Sequence, residues 1–288
     1  MDSPRQHYVL GDIHGCYAEL LRLEKRIARL CHRHQVTPHY ISCGDLVDRG
    51  PDSAKVLDHF WRGSLRGTHT LVLGNHEIMM LEVVQAYRPD LFKEVAIPPW
   101  FITVKAAYER EDASALDQSF SEYREGVRLS WIQQGGLETL QSFGFDEKNP
   151  KTWNFHPQVL AFLFQSRFVH RVENIVVTHA LPSREAIEQY EALEKITAKE
   201  SEFEWELCQI AIDTLIWNRL PFDGDLPANE IWVSGHTPGP KIRRLAGNKL
   251  LQIDTGCSVD GHLTAWCIET NRFYRTRQTS QNAAVKAL

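Results

Sequence analysis

The chain has 288 residues, of which 43% are hydrophobic and 24% charged, so it is long and apolar enough to bury a substantial core. Its formal charge of -5 provides no overall positive field, and we therefore expect no nucleic-acid partner. No apolar run approaches the roughly 20 residues of a membrane-spanning helix, so we expect no membrane partner either.

Residues 1–7 lack the apolar segment of a secretory leader and run directly into the first predicted strand. The six cysteines form no CxxC pair and no spacing typical of a disulfide framework or a zinc knuckle. Free thiols are typical of a reducing compartment, so we predict a cytoplasmic protein. No Gly-, Ser- or Pro-rich linker divides the chain, which favours a single domain over residues 1–288. The sequence does not indicate an oligomeric state.

Three short apolar runs in the first third of the chain predict buried strands: Tyr8–Leu10, Tyr40–Cys43 and Thr70–Leu73. Apolar residues at three- and four-residue steps between Leu20 and Leu30 predict a helix after the first strand. Pro51 and Asp52 mark the start of a helix after the second strand. The spacing of about 30 residues per strand is typical of βαβ units and predicts an α/β fold with parallel strands.

Residues from about 80 to 170 have few strand-like runs and many aromatic residues, which predicts a mostly helical insertion with its own aromatic core. Further strands are predicted at 174–177 and 231–233, with a helical segment at about 184–217 between them. Two hairpins are predicted towards the end of the chain. They pair 241–245 with 249–253, turning at Gly247-Asn248, and 263–268 with 273–275, turning at Asn271-Arg272.

A short polar motif follows the end of nearly every predicted strand. Because the carboxyl ends of parallel strands meet at one edge of a sheet, we expect these motifs to converge there. The motifs are Gly11-Asp12-Ile13-His14-Gly15, Gly44-Asp45-Leu46-Val47-Asp48-Arg49-Gly50, Gly74-Asn75-His76-Glu77, Thr178-His179, Gly235-His236 and Asp254-Thr255-Gly256.

Six side chains of these motifs offer oxygen and nitrogen donors without a thiolate. A lone Asp-X-His or Gly-His pair would be a surface accident more often than a metal site, but six such groups at strand ends predict a metal centre. The donor set suits two borderline divalent ions such as manganese, iron or zinc, and a carboxylate such as Asp45 can bridge them. The predicted ligands are Asp12, His14, Asp45, Asn75, His179 and His236.

The motifs and their order closely resemble those of the phosphoprotein phosphatase family of metallophosphoesterases, especially its bacterial members. The resemblance spans nearly the whole chain and includes the segment from Trp131 to Gly144. It also includes Leu215-Ile216-Trp217-Asn218-Arg219 and Gly235-His236-Thr237-Pro238. It implies a β-sandwich of two mixed sheets flanked by helices, in a four-layer α/β/β/α arrangement. One departure is Ala180-Leu181-Pro182 after His179, where many relatives have Ala-Gly.

The resemblance also implies a role for each motif residue. His76 would be the general acid that protonates the leaving oxygen, with Asp48 orienting its imidazole, and Arg49 and Arg219 would hold the phosphate oxygens. Manganese is the expected metal, with iron or zinc as alternatives. Asp12, His14 and Asp45 would bind the first ion, and Asp45, Asn75, His179 and His236 the second, with Asn75 also lying at the substrate.

The reaction implied is direct attack on phosphorus by a metal-bound hydroxide, without a phosphoenzyme intermediate. Elementary chemistry agrees with the roles implied for His76, Arg49 and Arg219. A positioned imidazole can supply a proton near neutral pH. Guanidinium groups donate bidentate hydrogen bonds to phosphate oxygens.

The leading hypothesis is a phosphatase acting on phosphoserine or phosphothreonine in proteins, or on small phosphoesters. The alternative is a bis(5'-nucleosyl)-tetraphosphatase or a related dinucleoside polyphosphate hydrolase, whose motifs look similar but usually lack the aspartate corresponding to Asp48. The intact set of Asp45, Asn75, His76 and Arg219 argues against a non-catalytic scaffold, and the acidic balance argues against a nuclease. Loops and the helical insertion determine the choice of substrate, and these motifs do not predict it.

Overall fold

The computed structural model describes residues 3–101, 113–194, 202–222 and 226–276. Part of the predicted insertion, 102–112, lies outside them. The described strands are β1 Arg5–Leu10, β2 Thr37–Ser42, β3 His69–Leu71, β4 Val169–Val172, β5 Ile175–Thr178, β6 Ile231–Ser234, β7 Arg243–Leu245, β8 Leu250–Gln252, β9 Thr264–Cys267 and β10 Arg272–Arg275. The described helices are α1 Tyr17–His34, α2 Ser53–Leu65, α3 Asn75–Tyr87, α4 Ala113–Trp131, α5 Leu137–Ser142, α6 Pro157–Gln165, α7 Arg184–Leu193 and α8 Glu202–Trp217.

The described strands form two five-stranded mixed sheets, ordered β10-β9-β1-β2-β3 and β4-β5-β6-β8-β7. In the first sheet β1, β2 and β3 are parallel, whereas β9 is antiparallel to β1 and to β10. In the second sheet β5, β6 and β8 are parallel, with antiparallel strands β4 and β7 at the edges. Each sheet therefore has a central set of parallel strands whose carboxyl ends point the same way.

Side chains alternate between two buried clusters because successive residues of a strand face opposite sides of the sheet. Val9 and Ile41 of the first sheet and Val177 and Val233 of the second belong to a cluster formed by the facing sheets. The neighbouring residues, such as Leu10 and Val176, belong to the larger cluster shared with the flanking helices. The predicted sandwich of two mixed sheets flanked by helices is confirmed.

Both predicted hairpins are present, although Arg272 belongs to β10 and the second turn covers 268–271. Strand β4 was not predicted. Only its first residue, Val169, is fully buried, and Arg171 is exposed, so this short edge strand has no apolar run that would indicate it.

Between β3 and β4 the described chain is helical, from α3 to α6, with a π-helical turn over Ile132–Gly136 that joins α4 to α5. This turn packs beside the carboxyl end of β2, because Arg49 donates its backbone N–H to the carbonyl of Gly135 over 3.1 Å. Within the parts of the chain that the structure describes, no helix is both long and apolar enough to cross a bilayer.

Candidate active site

The six predicted metal ligands lie together where the carboxyl edges of the two sheets meet. Asp12 and Asp45 follow β1 and β2, and Asn75 opens α3 after β3; His179 and His236 follow β5 and β6. All six residues, His14 included, are at most 4% exposed. The parallel strands therefore bring together side chains that are far apart in the sequence, as their position at strand ends predicts.

His14 and Asp45 form one side of the cluster. The Nδ1 atom of His14 lies 2.8 Å from the carbonyl oxygen of Val47, to which it donates, so Nε2 carries the lone pair that faces the site. Nε2 lies 3.4 Å from Oδ2 of Asp45. Both residues have positive φ, 44° and 53°, so the loops bend sharply to turn these side chains inward.

His179 forms the other side of the cluster in the same manner. Its Nδ1 atom donates to the carbonyl oxygen of Cys43 over 2.7 Å. Its Nε2 atom lies 2.9 Å from Oδ1 of Asn75, 3.0 Å from Nδ1 of His236 and 3.4 Å from Oδ1 of Asp45. The two carboxylate oxygens of Asp45 thus face the two sides of the cluster separately.

Asp12 lies beside His236 and accepts that residue's backbone N–H at 3.1 and 3.0 Å. Glycine leaves the room for these carboxylates. A Cβ atom at Gly235 would lie 1.9 Å from Oδ1 of Asp12, and one at Gly74 would lie 2.2 Å from Oδ1 of Asp45. Any other residue would push the carboxylates out of the cluster.

These donors fit a metal centre. Oxygen and imidazole lone pairs crowd one buried space, and burial raises the pKa of Asp12 and Asp45 while it lowers the pKa of His14 and His179. Burial therefore opposes ionised carboxylates here, and cations among them would offset its cost. The imidazoles of His14 and His179 already present their Nε2 lone pairs to the cluster, the form that a metal requires.

His76 and Asp48 form a buried dyad next to the cluster. Nδ1 of His76 lies 2.6 Å from Oδ2 of Asp48. Trp131 donates its indole N–H to the Asp48 carboxylate at 3.0 and 3.1 Å, and the hydroxyl of Thr139 donates to Oδ1 at 2.7 Å. Asp48 is fully buried, so these donors replace the water that a carboxylate would otherwise bind.

Burial and neighbouring charges shift the pKa values of Asp48 and His76 in opposite directions. Burial raises the pKa of Asp48 to about 8, although the hydrogen bonds from Thr139 and Trp131 oppose the rise. Burial, followed by the positive charges of Arg49 and Arg219, lowers the pKa of His76 to about 3. Both members of the dyad therefore favour their neutral forms here, with the Asp48 carboxyl group behind the imidazole and two guanidinium groups in front of it. A phosphate bound to the guanidinium groups would offset their charge and favour the protonated imidazole that a general acid requires.

Arg49 and Arg219 reach the cluster from two different loops. The guanidinium of Arg49 lies 3.0 Å from Nε2 of His14 and 2.9 Å from Nε2 of His76. Nε of Arg219 lies 3.0 Å from Nε2 of His236. An anion at this position would therefore meet both guanidinium groups and the imidazole of the dyad.

Four further residues support the site, and the motif analysis assigned a role to none of them. The carboxylate of Glu77 accepts the backbone N–H groups of Gly74, Asp45 and Leu46 at 3.0, 2.9 and 2.7 Å. Glu77 is fully buried, so it fixes the loop that carries Asp45. The other three are Asp254, whose charge acts on Asp12, and the Asp48 donors Trp131 and Thr139.

Each of these four residues lies within a strand-end motif or within the segment 131–144. That position is the only sequence signal that points to a role for them at the site. The sequence predicts Trp131 to be part of an aromatic core, and it is fully buried, but its indole N–H also donates to Asp48 of the dyad. Gly136 makes room for that indole, because a Cβ atom there would lie 2.4 Å from the ring.

The family model for calcineurin-like phosphoesterases matches residues 8–262. The chain belongs to the calcineurin-like phosphoesterase family. It is accordingly a phosphoester hydrolase of a dinuclear metal-dependent family, and the clustered aspartates and histidines are its candidate metal ligands.

Among curated proteins, the chain is similar to symmetrical bis(5'-nucleosyl)-tetraphosphatases. The Methylobacillus flagellatus enzyme is 24% identical over 280 residues, covering 93% of this chain and 94% of that enzyme. The Wigglesworthia glossinidia brevipalpis enzyme is 41% identical over 75 residues, which cover 26% of this chain and only 25% of that enzyme. The 41% identity thus covers about a quarter of this chain and of the W. glossinidia brevipalpis enzyme.

Solved structures show a similar fold. A candidate diadenosine tetraphosphatase has a TM-score of 0.52 at 17% identity, covering 96% of this chain and 99% of its own. The cold-active protein-tyrosine phosphatase of a psychrophilic Shewanella species has a TM-score of 0.51 at 17% identity, covering 96% and 79%. At this identity the likeness supports the fold alone.

Proposed function

We propose that this calcineurin-like phosphoesterase is a phosphomonoesterase that removes phosphate from phosphoserine or phosphothreonine. The observation that carries the proposal is the buried dyad of His76 and Asp48, with Trp131 and Thr139 bound to the same carboxylate. The dyad has its imidazole beside Arg49, and we propose that it protonates the leaving oxygen.

The nature of the leaving group explains why the dyad favours a monoester. A serine or threonine alkoxide is a strong base and needs a proton as its bond to phosphorus breaks. A nucleoside diphosphate, the leaving group in symmetrical cleavage of a tetraphosphate, is a far weaker base and departs without one. A carboxylate that orients the imidazole and stabilises its positive charge is therefore most useful for an alkoxide.

Arg49 and Arg219 would bind the phosphoryl oxygens in the present arrangement, because each already points a guanidinium group into the cluster. Asn75 would contribute its amide from the start of α3. Binding a phosphate would draw Arg49 away from Nε2 of His76 and leave that nitrogen facing the leaving oxygen.

Asp12, His14 and Asp45 would hold one divalent ion, and Asp45, Asn75, His179 and His236 a second. Such a pair supplies activated water and neutralises charge on the phosphoryl group. The two oxygens of Asp45 support a bridging position, since they face His14 and His179 separately. Manganese is the metal we propose, with iron or zinc as alternatives.

The test is release of inorganic phosphate by manganese-loaded protein from an aryl phosphate and from phosphoserine, phosphothreonine and phosphotyrosine peptides. We expect turnover of the aryl phosphate and of the phosphoserine and phosphothreonine peptides. Protein that holds both metal ions but releases no phosphate from any of these substrates would contradict the proposal.

A second candidate, hydrolysis of dinucleoside tetraphosphates, is favoured by the M. flagellatus relative, which matches over 93% of this chain. This activity would yield two nucleoside diphosphates from one diadenosine tetraphosphate, which chromatography resolves from inorganic phosphate. Diphosphate formation at a rate far above phosphate release from the peptides would favour the second candidate.

A further inference from the structure

A second cluster of potential ligands lies away from the catalytic edge. It consists of Glu24 on α1, His59 on α2 and His69, the first residue of β3. The catalytic ligand Asn75 follows the carboxyl end of β3, whereas His69 lies at its amino end. The two clusters are therefore at opposite ends of the same strand.

Both histidines present Nε2 to the same carboxylate. Nε2 of His59 lies 2.8 Å from Oε2 of Glu24, and Nε2 of His69 lies 3.0 Å from Oε1. One potential ligand atom from each of the three residues lies within 4.8 Å of the others. The two imidazole rings meet edge to face, with their centroids 4.9 Å apart.

The surroundings hold the ring of His69 in this orientation. Its Nδ1 atom lies 2.9 Å from the hydroxyl oxygen of Thr68. The ring also lies against the backbone of α2, where a Cβ atom at Gly63 would be only 2.1 Å from Nδ1. The hydrogen bond at Nδ1 leaves Nε2 as the ring nitrogen that faces the cluster, and a hydrogen bond at the other ring nitrogen is what orients a metal-binding histidine.

The cluster is largely shielded from solvent. The side chains of Glu24, His59 and His69 are 12%, 17% and 5% exposed. Burial raises the pKa of Glu24, but the hydrogen bonds from His59 and His69 outweigh that effect and its pKa is lowered. The carboxylate is therefore ionised near neutral pH, as a metal ligand must be.

We propose that Glu24, His59 and His69 form an additional site for a divalent transition ion, with zinc as the best fit. Two imidazoles and one carboxylate are typical zinc ligands, and three protein ligands leave a fourth position for water. A bound ion would join α1, α2 and β3. The alternative is a metal-free cluster of hydrogen bonds that links the same three elements.

The first test compares zinc content after equilibration of the full chain with zinc and dialysis. We expect the wild-type protein to retain one more zinc per chain than the His59→Gln variant. The His7→Gln variant is a matched control, because His7 pairs with Glu269 over 2.7 Å but belongs to none of the three-ligand clusters among the described residues. This control should retain as much zinc as wild type. Equal zinc in wild type and in folded His59→Gln protein would overturn the proposal.

A second measurement needs no variant and so does not depend on the folding of His59→Gln. Crystals of the wild-type chain soaked in zinc should give an anomalous peak bounded by Glu24, His59 and His69, in addition to any at the catalytic cluster. Zinc peaks at the catalytic cluster with none at Glu24 would show that the second cluster is held by hydrogen bonds alone.

Discussion

Replacing Asp48 with asparagine tests the role of the dyad. Three donors now point at the Asp48 carboxylate, from His76, Trp131 and Thr139, at distances between 2.6 and 3.1 Å. Asparagine keeps the shape but offers only one acceptor oxygen, and its NH₂ group must face one of these donors. It also removes the carboxyl group that would become the negatively charged partner of a protonated His76.

The magnitude follows from the hydrogen bond that is lost. A hydrogen bond to a charged group contributes about 1.5–3 kcal/mol, and a loss of about 3 kcal/mol in the transition state slows the reaction roughly 100-fold. The effect should depend on the leaving group. We expect a loss of up to that size for a phosphoserine peptide and only a few-fold loss for an aryl phosphate with a weakly basic leaving group.

The assay measures kcat/KM of wild type and Asp48→Asn on a series of phosphomonoesters whose leaving groups differ in basicity. The variant should show the steeper dependence on leaving-group basicity. Thr139→Val is the control, because it removes one neutral donor from Asp48 and leaves the bond between Asp48 and His76 in place. An equal loss by Asp48→Asn on every ester, with metal content unchanged, would refute the assignment of the dyad.

Three further variants test other parts of the site. Asp45→Asn should lose most of its bound metal, measured by elemental analysis, and most of its activity, measured as phosphate release. Two tightly retained ions in this variant would contradict the bridging role of Asp45. Glu77→Gln should lower the free energy of unfolding by about 2–3 kcal/mol, because the glutamine NH₂ group would face backbone N–H groups. Urea titration measures this change, and an unchanged unfolding midpoint would refute the supporting role of Glu77. Arg219→Lys should raise KM for a phosphopeptide several-fold with a smaller change in kcat, since lysine lacks the planar fork; an unchanged KM would remove Arg219 from phosphate binding.

The convergence of the six predicted ligands could be expected from the sequence for a physical reason. Parallel strands place their carboxyl ends at one edge, so polar residues after apolar runs predict a common site even when they are distant in the chain. Asp12, Asp45 and His179 follow this rule, and the structure brings them together as expected.

The support around Asp48 could not be predicted in the same way. Trp131 and Thr139 bind Asp48 from 83 and 91 residues away, through a π-helical turn whose position no periodic pattern indicates. Glu77 stands inside a recognised motif, but its contacts are with backbone N–H groups that side-chain patterns do not reveal. Such long-range polar contacts need the folded structure.

The most direct test of the proposed function is a comparison of two substrates on one preparation of manganese-loaded protein. The measurement is kcat/KM for a phosphothreonine peptide and for diadenosine tetraphosphate under the same conditions. The dyad of His76 and Asp48 predicts the higher value for the peptide. Efficient turnover of the dinucleotide alone would contradict the account and assign the site to phosphoanhydride cleavage.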